Sequence, residues 1–275
     1  MATRIMKITI WGFVGILVIA AWLLGSVTDA KAMKGEELLY KANGVVLKGY
    51  LAYDDATAGK RPGVLVVHEW WGINEFVRDR ARELSKLGYT ALAVDMYGEG
   101  KEAANPDEAR MLSGELRKNA SMMKARFDAA RGVLSKHRSV DSKRIAAIGY
   151  SSGGYVVLEM ARQGSELAGV VVFWGTLKTE RPAQKGMLKA KVLVLNGMED
   201  PWVPVEQVKQ FKAEMDAAGV DYKVIDYPNS KHGFSRPQAD SQAKKFNLPQ
   251  LAYNAEADRE SWAEMGAFFK MLFRK

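Results

Sequence analysis

A glycine-rich turn between two apolar segments constrains this chain more than any other feature. Residues 149–154 read GYSSGG, and they separate the apolar run 144–148 from an amphipathic stretch at 155–163. A strand that turns sharply into a helix needs glycines beside the turning residue, because a Cβ there would collide with the neighbouring strand and helix. The pattern G-x-S-x-G therefore predicts a strained turn that lifts the Ser151 hydroxyl clear of a sheet. Similar turns also occur in nucleotide sites and in plain tight packing, and both remain alternatives at this point.

Two polar residues further along the chain follow Ser151 in the order expected of a catalytic triad. Asp200 follows the apolar run KVLVLN at 191–196, and His232 lies in the loop after a short strand-like run at 222–226. The order Ser, acid, His, with each residue at a strand end, is typical of an α/β-hydrolase. The chain has only three histidines. We expect His137 to cap a helix, and His68 to be a hydrogen-bonded residue beneath the site.

Four motifs, taken in chain order, resemble the dienelactone hydrolase family. They are HEWWGIN at 68–74, the glycine-rich turn, GMED at 197–200 and His232 followed by Gly and Phe. The resemblance covers residues 40–275 as one continuous domain. It implies an α/β fold, namely the α/β-hydrolase fold, with a mostly parallel sheet and helices on both faces. It also implies hydrolysis of a small-molecule ester or lactone. The sequence has no His or carboxylate cluster with metal spacing and no phosphate-binding glycine loop beyond this turn, so no metal or organic cofactor is expected.

The resemblance further implies roles for residues around the nucleophile. The backbone N–H groups of Trp70 and Ser152 would form the oxyanion hole. Glu69 would form a hydrogen bond near the nucleophile and help to control its ionisation; the alternative for this carboxylate is a structural hydrogen bond or ion pair.

Three further residues are candidates for substrate contacts. By the resemblance, Arg236 would bind a carboxylate of the substrate, and Arg110 would match a second family arginine on a helix before the turn. Trp71 follows Trp70 beside the expected oxyanion hole, so the two rings would either wall the acyl pocket or cover the edge of the sheet.

The nucleophile itself departs from the family pattern. Dienelactone hydrolases proper carry cysteine where this chain has Ser151, and the chain contains no cysteine. A serine hydroxyl is not ionised by a modest pKa shift, so Ser151 must lose its proton to His232 during attack. The sequence therefore favours a general ester hydrolase. The alternatives are a peptidase or acyltransferase that uses the same triad, and a non-catalytic envelope binding protein that keeps the fold.

Composition fits one enzyme domain. The chain has 275 residues, of which 48% are hydrophobic and 26% are charged, enough for one α/β core. Its formal net charge of +8 comes from cations that are scattered among acids. A nucleic-acid partner is therefore not predicted. We interpret the charge as favouring solubility, with a bias toward anionic substrates or surfaces as the further possibility.

The N-terminus predicts export. Arg4 and Lys7 precede an apolar run at 8–24, and Ala30-Lys31-Ala32 offers an A-x-A cleavage site. We expect residues 1–32 to be a signal peptide that is cleaved after Ala32, which would place the domain in the periplasm or outside the cell. The alternative is an uncleaved membrane anchor through residues 8–24, because 17 residues lie near the minimum for a membrane span.

Hydrophobic periodicity predicts seven strands that alternate with five helices, which is typical of a mostly parallel sheet. Loops are expected at 96–120, where a lid would lie, and at 236–254, where Pro237 and Pro249 prevent a continuous helix. The predicted strands are 45–51, 64–68, 90–95, 144–149, 167–173, 191–196 and 222–226. The predicted helices are 75–87, 122–136, 155–163, 205–218 and 256–273.

Overall fold

The computed structural model of the protein describes residues 33–274. Their strands form one sheet of eight, in the order β1-β2-β4-β3-β5-β6-β7-β8. β2 pairs antiparallel with β1 and with β4, and the remaining pairs are parallel. The strands are β1 Met33–Ala42, β2 Val45–Asp54, β3 Arg61–Val67, β4 Thr90–Val94, β5 Val140–Tyr150, β6 Gly169–Phe173, β7 Lys191–Gly197 and β8 Tyr222–Tyr227. The helices are α1 Glu75–Lys86, α2 Pro106–Lys118, α3 Ala120–Lys136, α4 Ser152–Arg162, α5 Val205–Ala218, α6 Ala239–Phe246 and α7 Ala255–Leu272.

The strand side chains build two cores, one on each face of the sheet. Successive strand residues point to opposite faces, so Leu65 and Val67 of β3 join one core and Val64 and Val66 join the other. Buried residues of α3, α4 and α5 complete the first core, and those of α1 and α7 complete the second. The predicted α/β-hydrolase fold, a mostly parallel sheet covered by helices on both faces, is confirmed.

The sheet includes residues that precede the predicted domain start at residue 40. β1 runs from Met33 and pairs along its whole length with β2, which follows the turn at Asn43-Gly44. Most of β1 is exposed because it lies at the sheet edge, so its residues carry little of the apolar alternation that identifies a strand from sequence.

Two segments that were predicted as loops contain helices. Asn105 caps α2 by accepting hydrogen bonds at Oδ1 from the N–H groups of Asp107 and Glu108. α6 spans residues 239–246, between the two prolines that were expected to exclude a continuous helix. Each helix buries few residues, Ala109 and Leu116 in α2 and only Ala239 in α6. Both segments consist mostly of polar and charged residues, so they resemble loops in the sequence.

The predicted signal peptide or anchor at residues 1–32 lies outside the described residues. Within residues 33–274, no helix is both long and apolar enough to cross a membrane.

Candidate active site

The glycine-rich turn joins the end of β5 to the start of α4. Ser151 has φ 51° and ψ −114°, a left-handed conformation that is rare for a residue with a side chain. A Cβ on Gly149 would lie 2.1 Å from the Gly153 carbonyl oxygen, and a Cβ on Gly153 would lie 2.3 Å from the Val67 carbonyl oxygen. Glycines at these positions therefore let α4 approach β3 and β5 closely, which fixes Ser151 at the carboxyl end of the sheet.

Ser151, Asp200 and His232 come together at this end of the sheet. Ser151 Oγ lies 2.7 Å from His232 Nε2, and His232 Nδ1 lies 2.7 Å from Asp200 Oδ2. His232 and Asp200 are each 3% exposed, whereas Ser151 is only partly buried. Nδ1 donates to the carboxylate, which leaves Nε2 free to accept the serine proton. The arrangement is that of a nucleophile, a base and a group that orients the base.

The loops that carry the acid and the base also support each other. Asp200 Oδ1 accepts a hydrogen bond from the Trp202 N–H at 2.8 Å, so both carboxylate oxygens have partners. The Glu199 N–H donates to the Ser230 carbonyl oxygen at 3.0 Å. A Cβ on Gly197 would lie 2.4 Å from that same oxygen, so glycine there allows the two loops to meet.

Two tryptophans that the sequence analysis did not select enclose His232. The ring centroids of Trp174 and Trp202 lie 4.9 and 4.4 Å from that of His232, both in edge-to-face geometry. Trp174 has φ 39°, and its Nε1 donates to Ser235 Oγ at 2.7 Å. Their positions in the sequence could have identified them, because each tryptophan follows the carboxyl end of a strand, where α/β proteins place their sites.

Glu69 and Arg236 form a buried ion pair beside the triad. Arg236 Nη1 lies 2.7 Å from Glu69 Oε1, and the two side chains are 9% and 1% exposed. Glu69 also accepts hydrogen bonds from the Trp71 N–H and from Asn74 Nδ2, each at 2.9 Å. Both predicted residues therefore line the pocket that contains Ser151 and His232. The Glu69 carboxylate accepts its hydrogen bonds from Arg236, Trp71 and Asn74, and not from the Ser151 hydroxyl.

Trp70 and Trp71 also lie at the pocket, and Ser152 directly follows the nucleophile in the chain. Trp70 and Trp71 line the pocket together with Ser151 and His232. Ser152 is the first residue of α4, so its N–H has no acceptor within that helix and the positive end of the helix dipole lies at the nucleophile. The Trp71 ring stacks on Phe246 of α6, with centroids 5.2 Å apart, so this ring walls the pocket.

His68 lies beneath the site as a structural residue. Its Nε2 accepts a hydrogen bond from the Met96 N–H at 3.2 Å, which leaves Nδ1 to donate to the Glu69 carbonyl oxygen at 2.6 Å. Burial lowers the pKa of His68, so the ring stays neutral. These bonds tie the loop after β3 to the loop after β4.

Arg110 is not brought to the site. It lies on the exposed surface of α2, where its Nη1 lies 2.7 Å from Asp107 Oδ1. Both side chains are more than half exposed, so this ion pair lies in solvent, away from the residues that line the triad pocket.

Comparison with known proteins identifies the relatives of this chain. Residues 47–273 match the model of the dienelactone hydrolase family. A Yersinia pestis protein named carboxymethylenebutenolidase is 28% identical over 246 residues, which cover 85% of this chain and 86% of that protein. The crystal structure of a dienelactone hydrolase-like promiscuous phosphotriesterase from metagenomic libraries is 33% identical, with a TM-score of 0.83, over 88% of this chain and 99% of that one. The solved structure called m3DLH is 35% identical, with a TM-score of 0.84, over 88% of this chain and all of that one. The chain therefore belongs to the dienelactone hydrolase family, a family of carboxylic ester hydrolases.

Proposed function

We propose that this protein hydrolyses an ester or lactone through an acyl-enzyme intermediate on Ser151. The observation that carries the proposal is the continuous hydrogen-bonded series from Ser151 Oγ through His232 to Asp200, with both links at 2.7 Å. A serine hydroxyl is a weak nucleophile unless a base removes its proton during attack, and His232 Nε2 is within reach of that proton.

The reaction proceeds in two acyl transfers. Ser151 Oγ attacks the carbonyl carbon while its proton passes to His232 Nε2, and the Trp70 and Ser152 N–H groups stabilise the oxyanion. His232 then gives that proton to the departing alcohol oxygen, which leaves an ester of Ser151. Water then attacks the carbonyl carbon of this ester and loses a proton to His232 Nε2. The bond from that carbon to Ser151 Oγ breaks, His232 returns the proton to Oγ, and the acid is released. Asp200 holds the imidazole in place and stabilises its charged form.

The Glu69–Arg236 pair favours an uncharged acyl group. The resemblance implies that Arg236 binds a substrate carboxylate, but its Nη1 already bonds to Glu69 in a buried setting. A carboxylate of the substrate would have to displace Glu69, whereas a neutral acyl group requires no such exchange. We therefore expect esters with a neutral acyl group to be the better substrates. The competing hypothesis is an acyl group that carries a carboxylate.

Two measurements test the proposal. Wild-type protein should hydrolyse p-nitrophenyl acetate and react with a fluorophosphonate probe, and Ser151→Ala should lose both while its circular dichroism is retained. The expected loss in kcat is at least about a thousandfold. Ser152→Ala is the matched control, since it removes the neighbouring hydroxyl and keeps the backbone N–H.

The alternatives give different results in the same assays. Labelling of Ser151 without ester turnover would indicate an acyltransferase or a peptidase, and peptide and acyl-acceptor panels would separate the two. An absence of both labelling and turnover in the wild type would support a non-catalytic binding protein.

We also propose that residues 1–32 direct export, with cleavage after Ala32. Support comes from the sequence, in which basic residues, an apolar run at 8–24 and an A-x-A site at 30–32 follow one another in the order of a signal peptide. Met33, the residue after the cleavage site, pairs with Asp54 in the sheet, so cleavage after Ala32 would keep this pair. N-terminal sequencing of the protein from the cell envelope should give a chain that starts at Met33. A chain that keeps its original N-terminus in the membrane fraction would instead establish the anchor.

A further inference from the structure

The space beside the nucleophile is too small for a large substrate. The pocket that contains Ser151 and His232 has a volume of about 10 Å³, and Trp71, Gln242 and Leu251 are among its walls. That volume corresponds to roughly one water molecule. Little more than the attacked carbonyl group therefore fits here without rearrangement, which favours a small acyl group, and the remainder of a larger substrate must lie elsewhere.

A much larger cleft begins on the far side of Trp202. It has a volume of about 650 Å³, and Trp202 is part of its lining. The Trp202 ring also packs against His232, with centroids 4.4 Å apart. His232 must deliver its proton to the departing alcohol oxygen, so the alcohol portion of an ester lies on the His232 side of Ser151. Through Trp202 the cleft therefore adjoins the His232 side of the site.

The cleft walls are rich in positive charge. The lining includes Arg117 and Lys118 at the end of α2 and Lys178 and Arg181 from the connection between β6 and β7. Within residues 33–274, none of these four cations forms a salt bridge with an acidic side chain. Arg117 lies over the Tyr155 ring, with its Cζ 4.7 Å from the centroid, which limits its freedom.

Two carboxylates also line the cleft, but they do not cancel this charge. Glu159 is buried and paired with Arg162 Nη1 at 3.0 Å, so it is not available to the four cations. Glu180 is exposed on the same wall as Lys178 and Arg181. Neighbouring charges of one sign in a concave surface attract ligands of the opposite sign.

The wall that carries Lys178 and Arg181 is held by a buried polar network. Arg162 Nη2 donates to the Leu177 carbonyl oxygen at 2.9 Å, and the Leu177 N–H donates to Gln207 Oε1 at 2.7 Å. Beyond the two cations, the Ala183 N–H donates to Glu214 Oε1 at 2.7 Å. The segment is therefore anchored on both sides of its charges, which reduces the conformational entropy that a ligand must remove.

We propose that this cleft binds the alcohol portion of the ester substrate and selects alcohols that carry a negative charge. The substrate class is thus a small, neutral acyl group esterified to an anionic alcohol that bears a carboxylate or a phosphate. This inference rests on the proposed function, because it assigns the cleft to the leaving group of the Ser151 reaction.

A pair of isosteric esters isolates the charge. The acetate ester of 4-(4-hydroxyphenyl)butanoate and that of the corresponding butanamide share the acyl group and the phenol and differ in one negative charge. At low ionic strength, we expect wild-type kcat/KM to be about tenfold higher for the anionic ester. A second pair, mono-p-nitrophenyl glutarate and p-nitrophenyl butyrate, places the charge on the acyl side instead.

Three variants then test which residues cause the preference for the anionic ester. Lys178→Gln/Arg181→Gln should lower the anionic-to-neutral ratio of kcat/KM about fivefold, and Glu180→Gln should raise it about twofold. Lys185→Gln/Lys189→Gln is the matched control, because it removes two exposed cations from the same connection that do not line the cleft. A rise with Glu180→Gln is a result that mere structural damage would not give.

Each other outcome overturns the proposal. A wild-type ratio near one for the butanoate pair, or equal changes in the cleft and control variants, would show that the cleft does not select charge on the alcohol. A response confined to the glutarate pair would assign the cleft to the acyl side. Hydrolysis of the neutral esters would persist in both of these cases. If the wild type hydrolysed none of the esters, the proposed function would fail as well.

Discussion

Breaking the ion pair between Arg236 and Glu69 should destabilise the protein strongly. Arg236→Met keeps a straight side chain to pack on Phe76, whose ring centroid lies 5.5 Å from the Arg236 Cζ, but it leaves the Glu69 carboxylate buried without its cation. Removing one member of a buried pair costs about 3–5 kcal/mol. Because Glu69 keeps its hydrogen bonds from Trp71 and Asn74, we expect the lower end, about 3 kcal/mol.

The measurement is equilibrium unfolding in urea, followed by tryptophan fluorescence and repeated by heating. A loss of about 3 kcal/mol should lower Tm by roughly 6–12 °C in a domain of this size. Glu69→Gln and the double variant complete a thermodynamic cycle, in which the coupling between the two positions should be about 2 kcal/mol. Additive effects of the two substitutions would refute the assigned pair. A loss of activity on carboxylate-bearing acyl esters alone, with stability unchanged, would instead support a substrate-binding role for Arg236.

Three further perturbations follow from the local geometry. Gly153→Ala places a Cβ 2.3 Å from the Val67 carbonyl oxygen, so we expect the free energy of unfolding to fall by about 1–3 kcal/mol and the nucleophile to be displaced. Unfolding and the esterase rate would both be measured. The control is Gly132→Ala in α3, where the new Cβ meets no neighbouring side chain within 4 Å, and it should raise the free energy of unfolding by about 0.5–1 kcal/mol. Because burial lowers the pKa of His68, the unfolded chain binds a proton at this residue below about pH 6.5 while the folded protein does not, so stability falls as the pH drops through that value. His68→Gln should therefore flatten the decline of Tm between about pH 7.5 and 5.5, and an unchanged decline would exclude this residue as its source. Removal of residues 1–32 should leave a folded, active and soluble domain by gel filtration and ester assay, since no motif needed for the chemistry lies before Gly44.

The elements that the sequence predicted well are those whose signal is local. α5 matches its predicted range of 205–218, and the strand before Ser151 ends where the glycine-rich turn requires it. β1, α2 and α6 were not predicted, because an exposed edge strand and helices made mostly of polar residues contain few of the apolar residues that mark an element in the sequence. The Asn105-Pro106 cap was nevertheless present in the sequence as a helix start signal.

By itself, the sequence determined the family, the fold class and the three residues nominated for chemistry. Glycine at a crowded turn and apolar residues in buried strands are requirements of backbone sterics and of burial, and both can be read from neighbouring positions. The partners of each side chain were decided only by the tertiary structure. Arg236 pairs with Glu69 across 167 positions, and Trp202 turns its ring to His232. Such contacts depend on how strands align and loops close over the sheet, so a residue's identity defines what it can bind and only the fold determines what it does bind.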